Sequence, residues 1–429
     1  MKPKVSIILT CYNKPGTVGD AIQSVMDQSF ENWELYIMDD ASNKVTEEVI
    51  KPYLTDPRIY YLNSQVQDED RYKTARYATL INVAIPLTRG EYLSYLTDDN
   101  FYLPNRLEAM VAFLDQSPHI DIVYSKQKVK NVKRDLSVIS EYTRNTRGIL
   151  QKAANLVDHC SVIHRRKIAN QVYKKFGSYW DDDPAFWHNG DAAFWDRLNE
   201  FQPFHPIDCI LDICFKTPSS FQSLNAYLPD LIPDGSIVKS VRAEHFFIDN
   251  QLRRKVDEQI CRKVKVNIRK AIDVHDPILF TYKEGAAIDD TVFSNVTLFP
   301  NLLLVKAKNK PGIFYIQNNQ KRLILNKMAF HGYKFHTNQL TFVSESLLDQ
   351  FPAGENITLP ISRETILPDR ILFLKGNDFY LSFGNCMHYI ERKILNKLGF
   401  SIKQAVRIDE EIFSFYSQGK PFIWEQKNV

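Results

Sequence analysis

Tyr92-Leu93-Ser94-Tyr95-Leu96-Thr97-Asp98-Asp99-Asn100 runs from an apolar strand pattern straight into two adjacent carboxylates. A buried strand fixes where the acids after it point, and the carboxyl ends of strands are where open α/β sheets bind ligands. Two hard oxygen donors side by side suit Mg²⁺ or Mn²⁺, ions that bind through one or two carboxylates plus substrate phosphates. Asp and Asn also favour plain solvated turns, so the pair alone leaves both readings open.

The surrounding pattern repeats the arrangement. Val5 to Thr10 reads as a buried strand, followed by a turn at Cys11 to Gly16 and a helix that Thr17 can cap, with Val18, Ile22, Val25 and Met26 on its apolar face. Trp33 to Met38 is a second strand ending in Asp39-Asp40. Helix over Glu47–Leu54, strand over Arg58–Leu62, helix over Thr74–Pro86, a helix opened by Pro104 and a strand over Ile120–Tyr124 follow. Strands alternating with helices predict right-handed βαβ units and a mostly parallel sheet with helices on both faces. No GxGxxG or P-loop follows the first strand, which argues against dinucleotide oxidoreductases and P-loop NTPases. One acid of the two pairs could hydrogen-bond a base or ribose while the other pair holds a metal on a diphosphate. For Asp39-Asp40, capping of a turn or helix by Asp40 and Ser42 fits equally well.

Composition narrows the class. The 429 residues predict two or three domains. A net charge of +3 gives no argument for nucleic acid or a membrane surface, and the basic runs Lys126–Arg134 and Arg253-Arg254-Lys255 read as solvated faces. The six cysteines, Cys11, Cys160, Cys209, Cys214, Cys261 and Cys386, form no CxxC and read as scattered reduced thiols of a cytosolic protein. No apolar run approaches the ~20 residues of a membrane-spanning helix, and Val5 to Leu9 is too short for a signal-peptide core.

Val5 to Asn13, Asp39-Asp40-Ala41-Ser42 and Thr97-Asp98-Asp99 together resemble the inverting family-2 glycosyltransferases, which have a nucleotide-sugar-binding α/β fold of the GT-A type. The likeness is strongest to their spore-coat polysaccharide branch. It continues through Lys73 to Ala78, Asp158 to Val162, Phe176 to Asp181 and Gly190-Asp191-Ala192, covering roughly the first 215 residues. The resemblance implies that Thr10, Tyr12 and Asp40 hold the base and ribose of a UDP- or dTDP-sugar, with Arg71 and Asp98 nearby. It implies Mn²⁺ or Mg²⁺ on Asp99 and Asp98, with Asp99 the more direct ligand, and it makes Asp191 the catalytic base. Asp158 and His159 would line the donor or acceptor site. Cys11 departs from a commoner Ser, and Asn63 to Asp70 aligns poorly, which bears on the role of Arg71. The implied acceptor is a hydroxyl of a saccharide or glycoprotein, and the implied setting is spore-surface glycan maturation from the mother-cell cytoplasm.

An inverting transfer is a single displacement, so it needs a carboxylate to take the acceptor proton and a cation to neutralise the leaving diphosphate. Asp191 follows Asn189-Gly190 and precedes Ala192-Ala193-Phe194-Trp195, which reads as a helix start favouring an anion. Simple helix capping explains that position as well, and His159 also fits a satisfied core histidine. Trp180, Phe186, Trp187 and Trp195 around Asp181-Asp182-Asp183 suit sugar rings, or else a core cluster beneath a loop.

The expected organisation is a nucleotide-sugar-binding domain over 1–216, a linker and connecting helix over 217–272, and an α+β region over 273–429. The helix is read from Phe247, Leu252, Val256, Ile260, Val264 and Ile268 at near-helical spacing within Val241–Ile272. Phe314-Tyr315-Ile316 matches Phe379-Tyr380-Leu381 at an offset of 65, predicting two degenerate repeats at about 303–360 and 368–425. The first copy resembles small modules of bacterial surface and cell-wall-associated proteins. The repeats carry no chemistry, so they read as a unit for acceptor binding, oligomerisation or contact with spore-coat proteins. A catalytically silent nucleotide-sugar-binding scaffold that assembles through these repeats is the alternative.

Overall fold

The computed structural model describes residues 2–218 and 220–424. The chain divides into two compact units, Met1–Ser223 and Leu224–Gln426.

The first unit is built on a curled sheet. Its strands are β1 (Val5–Cys11), β2 (Trp33–Asp39), β3 (Ile59–Asn63), β4 (Tyr92–Thr97), β5 (Asn100–Tyr102), β6 (Ile122–Val132), β7 (Val138–Arg144), β8 (Val162–Arg165) and β9 (His205–Lys216). They run in the order β3-β2-β1-β4-β8-β6-β9-β5, with β7 paired to β6. β3, β2, β1 and β4 are mutually parallel; β8 then enters antiparallel between β4 and β6. The helices are α1 (Val18–Met26), α2 (Lys44–Ile50), α3 (Arg76–Leu87), α4 (Arg106–Gln116), α5 (Arg166–Phe176) and α6 (Gly190–Asn199).

Alternation along the strands makes two cores. Ile8, Met38, Leu93 and Tyr95 pack with residues of α3, α5 and α6 on one face. Ile7, Leu9, Leu35, Ile37 and Leu96 pack with α1 and α4 on the other. A strand buried on both faces is continuously apolar, which is the pattern of β1 and β2. The tryptophans divide: Trp180 and Trp195 are wholly buried in the first of these cores, so they are core residues and not a sugar platform. Thr17 precedes α1 without a side-chain capping bond, and α2 is capped by Asn43, so neither Asp40 nor Ser42 is spent on a helix cap.

The second unit corrects the sequence reading most. The expected helix over Val241–Ile272 is instead strands His245–Asp249 and Leu252–Val256, a helix of six residues, a 3-10 turn and a short returning strand. This stretch is the first of three copies of one motif, not a linker. In each copy a strand pairs with a hairpin and a later strand returns parallel to the first. The first strands are Ile237–Lys239, Leu303–Ala307 and Leu372–Lys375. Each hairpin turns on two residues with positive φ, namely Asn250-Gln251, Asn318-Asn319 and Gly384-Asn385, the backbone that two-residue hairpins require.

Ladder pairs Ile237–Phe247, Leu304–Tyr315 and Leu372–Leu381 make Phe247, Tyr315 and Leu381 equivalent. The structural offset between the last two copies is therefore 66 at this strand, one more than the sequence match, and a one-residue slip exchanges the faces of a strand. Phe247 packs in a core shared by copies one and two, Tyr315 in one shared by two and three, and Leu381 in one shared by three and one. The preceding residues Phe246, Phe314 and Tyr380 pack in the opposite core each time. Three copies with three pairwise cores form a closed ring.

Arg253 and Arg254, expected to be solvated, are buried. Arg254 donates to Asp249 at 2.6 Å and to the Ala286 carbonyl at 2.8 Å, and Arg253 reaches the Tyr282 carbonyl. All six cysteines are free, as their spacing implied.

Candidate active site

The carboxyl ends of β1, β2 and β4 bring one group of side chains together. The Tyr12 backbone N–H donates to Asp98 Oδ2 at 2.7 Å, joining the loop after β1 to the one after β4. The Arg71 guanidinium lies 4.3 Å from the centre of the Tyr12 ring and donates to Asp40 Oδ2 at 2.8 Å. Asp40 Oδ1 accepts from Arg76 at 2.8 Å and from Ser64 Oγ at 3.1 Å. Asp40 is thus held by two arginines, of which the sequence reading named only Arg71. Thr10 is buried at the end of β1 between Met38 and Thr97. Asp39 turns away: it accepts from the Tyr61 hydroxyl at 2.7 Å and the Ser42 N–H at 3.1 Å, and is wholly buried.

Asp98 and Asp99 share a cation the sequence reading did not single out. Lys14 Nζ contacts Asp99 Oδ2 and lies 3.3 Å from Asp98 Oδ1. Burial pushes Asp98 up to about 6; Lys14 opposes that shift and Asp99 adds to it. Burial works against the charged Lys14 amine, but the two carboxylates outweigh it and raise its pKa. Thr97 Oγ1 orients Asp99 Oδ1 at 3.0 Å. Two oxygen-bearing groups already arranged around one positive charge are a donor set that fits Mg²⁺ or Mn²⁺.

A second group forms where α6 begins. Asp191 Oδ1 accepts from the Ala192 N–H at 2.9 Å, and Oδ2 stands 4.0 Å from His159 Nδ1. Burial raises the Asp191 pKa, as does Asp158, while His159 and Lys216 pull it down. Asp158 is displaced the other way: burial alone would raise it, but His159, Arg144 and Lys216 hold it well below the carboxylate range. Arg144 donates to Asp158 Oδ2 at 3.1 Å. The helix start is set by Gly190, whose N–H donates to the Tyr77 hydroxyl at 2.8 Å; a Cβ at Gly190 would collide with that hydroxyl. Donor atoms of Asp158, His159 and Cys160 lie within 4.8 Å of one another. Burial raises the Cys160 thiol well above its usual value, so this trio offers a carboxylate and an imidazole but no thiolate.

Lys216 stands at the end of β9. Its ammonium feels both Asp158 and Asp99 and lowers Asp191. Thr10, Tyr12, Asp40, Arg71, Asp98 and Asp99 lie in the first group and Asp158, His159 and Asp191 in the second, and the two meet where Thr97 Oγ1 and Asn100 Nδ2 stand 3.7 and 2.7 Å from Cys160 Sγ. Lys14, Arg76, Arg144 and Lys216 were missed: lysines and arginines are common on surfaces, and only the fold shows which of them face carboxylates.

The Glycosyl transferase family 2 model matches residues 6–170, the stretch carrying β1, β2, β4 and both acid pairs. The first unit thus carries a family-2 glycosyltransferase domain. The chain is 42% identical over 424 residues to Protein CgeD of Bacillus subtilis (strain 168), spanning 98% of this chain and 96% of that one, and it belongs to the same family. The Putative glycosyltransferase EpsE of the same organism is 32% identical over 121 residues, 28% of this chain and 42% of its own length. Among solved structures, S. aureus TarS 1-349 in complex with UDP-GlcNAc aligns with a TM-score of 0.38 at 16% identity, over 50% of this chain and 58% of that one. Among the described residues, no helix is long and apolar enough to cross a membrane.

Proposed function

We propose that the first unit transfers a sugar, with inversion, from a UDP- or dTDP-sugar to a hydroxyl of a saccharide or glycoprotein acceptor, with Asp191 as general base. The observation that carries this reading is that Thr97 Oγ1 and Asn100 Nδ2, on either side of Asp98-Asp99, stand 3.7 and 2.7 Å from Cys160 Sγ, next to Asp158 and His159, while His159 Nδ1 stands 4.0 Å from Asp191 Oδ2. In this reading the carboxylates for the leaving diphosphate and for the attacking hydroxyl flank that contact.

In this reading Tyr12, Arg71 and Asp40 hold the base and ribose, with Thr10 beneath them. Asp98 and Asp99 would hold Mn²⁺ or Mg²⁺. A bound divalent ion supplies positive charge to the diphosphate as it leaves. Lys14 and Lys216 add charge of the same sign from the chain itself. Asp191 takes the acceptor proton: partial desolvation strengthens it as a base, and the Ala192 N–H and His159 keep its charge stabilised. Arg144 keeps Asp158 ionised beside His159, which orients the imidazole. The resemblance to spore-coat polysaccharide glycosyltransferases supports an acceptor on the spore surface.

Thermal shifts with UDP, dTDP, GDP and CDP, each with and without Mn²⁺, test the donor site. A ligand that binds only the folded state adds about 2.7 kcal/mol at a hundredfold excess over Kd. A Mn²⁺-dependent shift confined to UDP or dTDP is expected, and its loss in Asp99→Ala. Binding without turnover of any donor would favour the scaffold reading.

A further inference from the structure

We propose that the ring of three repeats binds an anionic glycan, carboxylated or phosphorylated, in the cavity on its axis, with Arg370 at the centre and Lys265, Lys270 and Lys334 at the mouth. This site belongs wholly to the second unit and does not depend on the catalytic reading of the first.

The cavity has a volume of about 710 Å³ and is lined by all three copies. Gly235, Leu302 and Arg370 hold equivalent places, two residues before the paired strand residues Ile237, Leu304 and Leu372, and all three have positive φ (76°, 62° and 62°). They converge: a Cβ on Gly235 would stand 2.6 Å from Arg370 Cδ and 3.1 Å from Leu302 Cδ1. The axis thus carries one glycine, one leucine and one arginine, and the glycine makes room for the arginine. Arg370 donates to the Asp234 carbonyl at 2.6 Å and to Ser236 Oγ at 3.2 Å, and its guanidinium lies 4.8 Å from the centre of the Phe400 ring. Burial pushes it down to about 10.

A second set of equivalent positions rings the mouth. Lys265, Lys334 and Gly399 each follow a short helical turn with positive φ (59°, 61° and 75°). Residues Val266, Phe335 and Phe400 close that turn through the bonds to Cys261, Phe330 and Leu395 carbonyls. Glycine suits this place, as the third copy shows, and a lysine there is strained. Two copies nevertheless carry lysine, and both lysines line the cavity.

Exposed lysines are ordinarily just solvated. Here, among the described residues, the lining contains no aspartate or glutamate. Among the described residues, no carboxylate lies within ion-pair distance of Arg370, Lys265, Lys270 or Lys334, whereas Arg262 at the same mouth is paired with Glu258 at 2.6 Å. A cavity that gathers four such cations from three copies calls for an anion. Its volume is that of a small-molecule site and larger than one phosphate needs. The floor supplies what a sugar uses: aromatic faces of Tyr315, Tyr333 and Phe335, and amides. Gln339 and Gln404 each spend Oε1 on a backbone N–H of their own turn, at 2.9 and 3.3 Å, which leaves their amide N–H groups as donors for oxygen.

Calorimetric titration of the full chain with trigalacturonate, phosphorylated maltotriose, maltotriose and inorganic phosphate tests the site. At least one charged trisaccharide is expected to bind at least tenfold tighter than maltotriose and than phosphate, and to weaken as salt is raised. The trisaccharide that binds identifies the charged group. The exposed double variant Lys265→Ala/Lys334→Ala should lose tenfold or more of that affinity with an unchanged Tm; Arg370→Gln should lose it too, but its central packing makes the double variant the decisive one. Equal binding of maltotriose, phosphate binding as tightly as either charged glycan, no binding of any probe, or an unaffected double variant overturns the proposal. UDP titrated into the same protein reports on the first unit, so failure of one site is distinguishable from failure of the other.

Discussion

In the first unit carboxylates collect where strands end: Asp39 closing β2 and Asp40 after it, Asp98 and Asp99 after β4, Asp158 before β8. In the second, cations collect where three copies of one motif meet. The routes differ. A parallel sheet places consecutive strand ends along one edge, so acids far apart in sequence become neighbours by topology. A ring of repeats multiplies a single position, so Lys265 and Lys334 become neighbours by symmetry. The acids are each held by several partners, as Asp40 is by Arg71, Arg76 and Ser64. Among the described residues, no side chain pairs with Lys265 or Lys334. Rigid placement suits chemistry on a defined atom, and open lysine side chains suit capture of a variable polymer.

The largest effect expected from breaking this contrast is at Asp191. Asp191→Asn should cut transfer by about two to four orders of magnitude, the usual worth of a general base, with UDP binding intact. The same change should raise Tm. The folded-state pKa of Asp191 is raised, so the fold disfavours its ionised form, and neutral asparagine removes that penalty. In the wild type, transfer should fall as pH drops through this raised value. A variant that turned over at the wild-type rate would remove Asp191 from the mechanism.

Next in size is the pair beneath the Tyr12 ring. Arg71→Met leaves Asp40 buried with Arg76 alone, and breaking a buried pair costs about 3–5 kcal/mol. Urea unfolding should show a loss near the lower end of that range because Arg76 remains. UDP affinity should drop as well, since the guanidinium no longer stacks on Tyr12. An unchanged midpoint would mean that Arg76 satisfies Asp40 by itself.

Asp158 should respond opposite to Asp191. Its folded-state pKa is lowered, so it contributes stability above the unfolded-state value near 3.9, and that contribution is lost as pH falls through the folded value. Asp158→Asn should therefore be less stable than wild type at pH 7, with the gap closing in acid. A gap that stayed constant with pH would assign the loss to packing instead of charge.

Much of the first unit was legible because β1, β2 and β4 are buried on both faces and read as plain apolar runs, as Val5 to Leu9 does. The acid pairs stood out because they interrupt such runs. The cations facing them did not, since nothing local distinguishes Lys14 or Lys216 from a surface lysine. The first repeat copy was hidden for a specific reason. Arg253 and Arg254 are inward-facing strand residues satisfied by Asp249 and by carbonyls, so the strand carries charge where a pattern reader expects solvent. Its hairpin turns on Asn250-Gln251, with no glycine to announce it. Phe247 to Ile268 then fell on a helical spacing that the chain does not use.

The smallest predicted effect bears directly on why the lysines stand where they do. Lys265→Gly and Lys334→Gly would give the first two copies the residue that the third already has at Gly399. A left-handed conformation costs a non-glycine residue roughly 1–2 kcal/mol, partly offset by the greater freedom of glycine in the unfolded chain. Each change should therefore stabilise the protein by up to about 1 kcal/mol, seen as a small rise in Tm, while the charged trisaccharide loses affinity. Stability and binding moving in opposite directions would mean that the strain is kept for the ligand. If both stayed level, the lysines would be ordinary surface residues in an uncommon backbone, and the proposed anion site would fall with them.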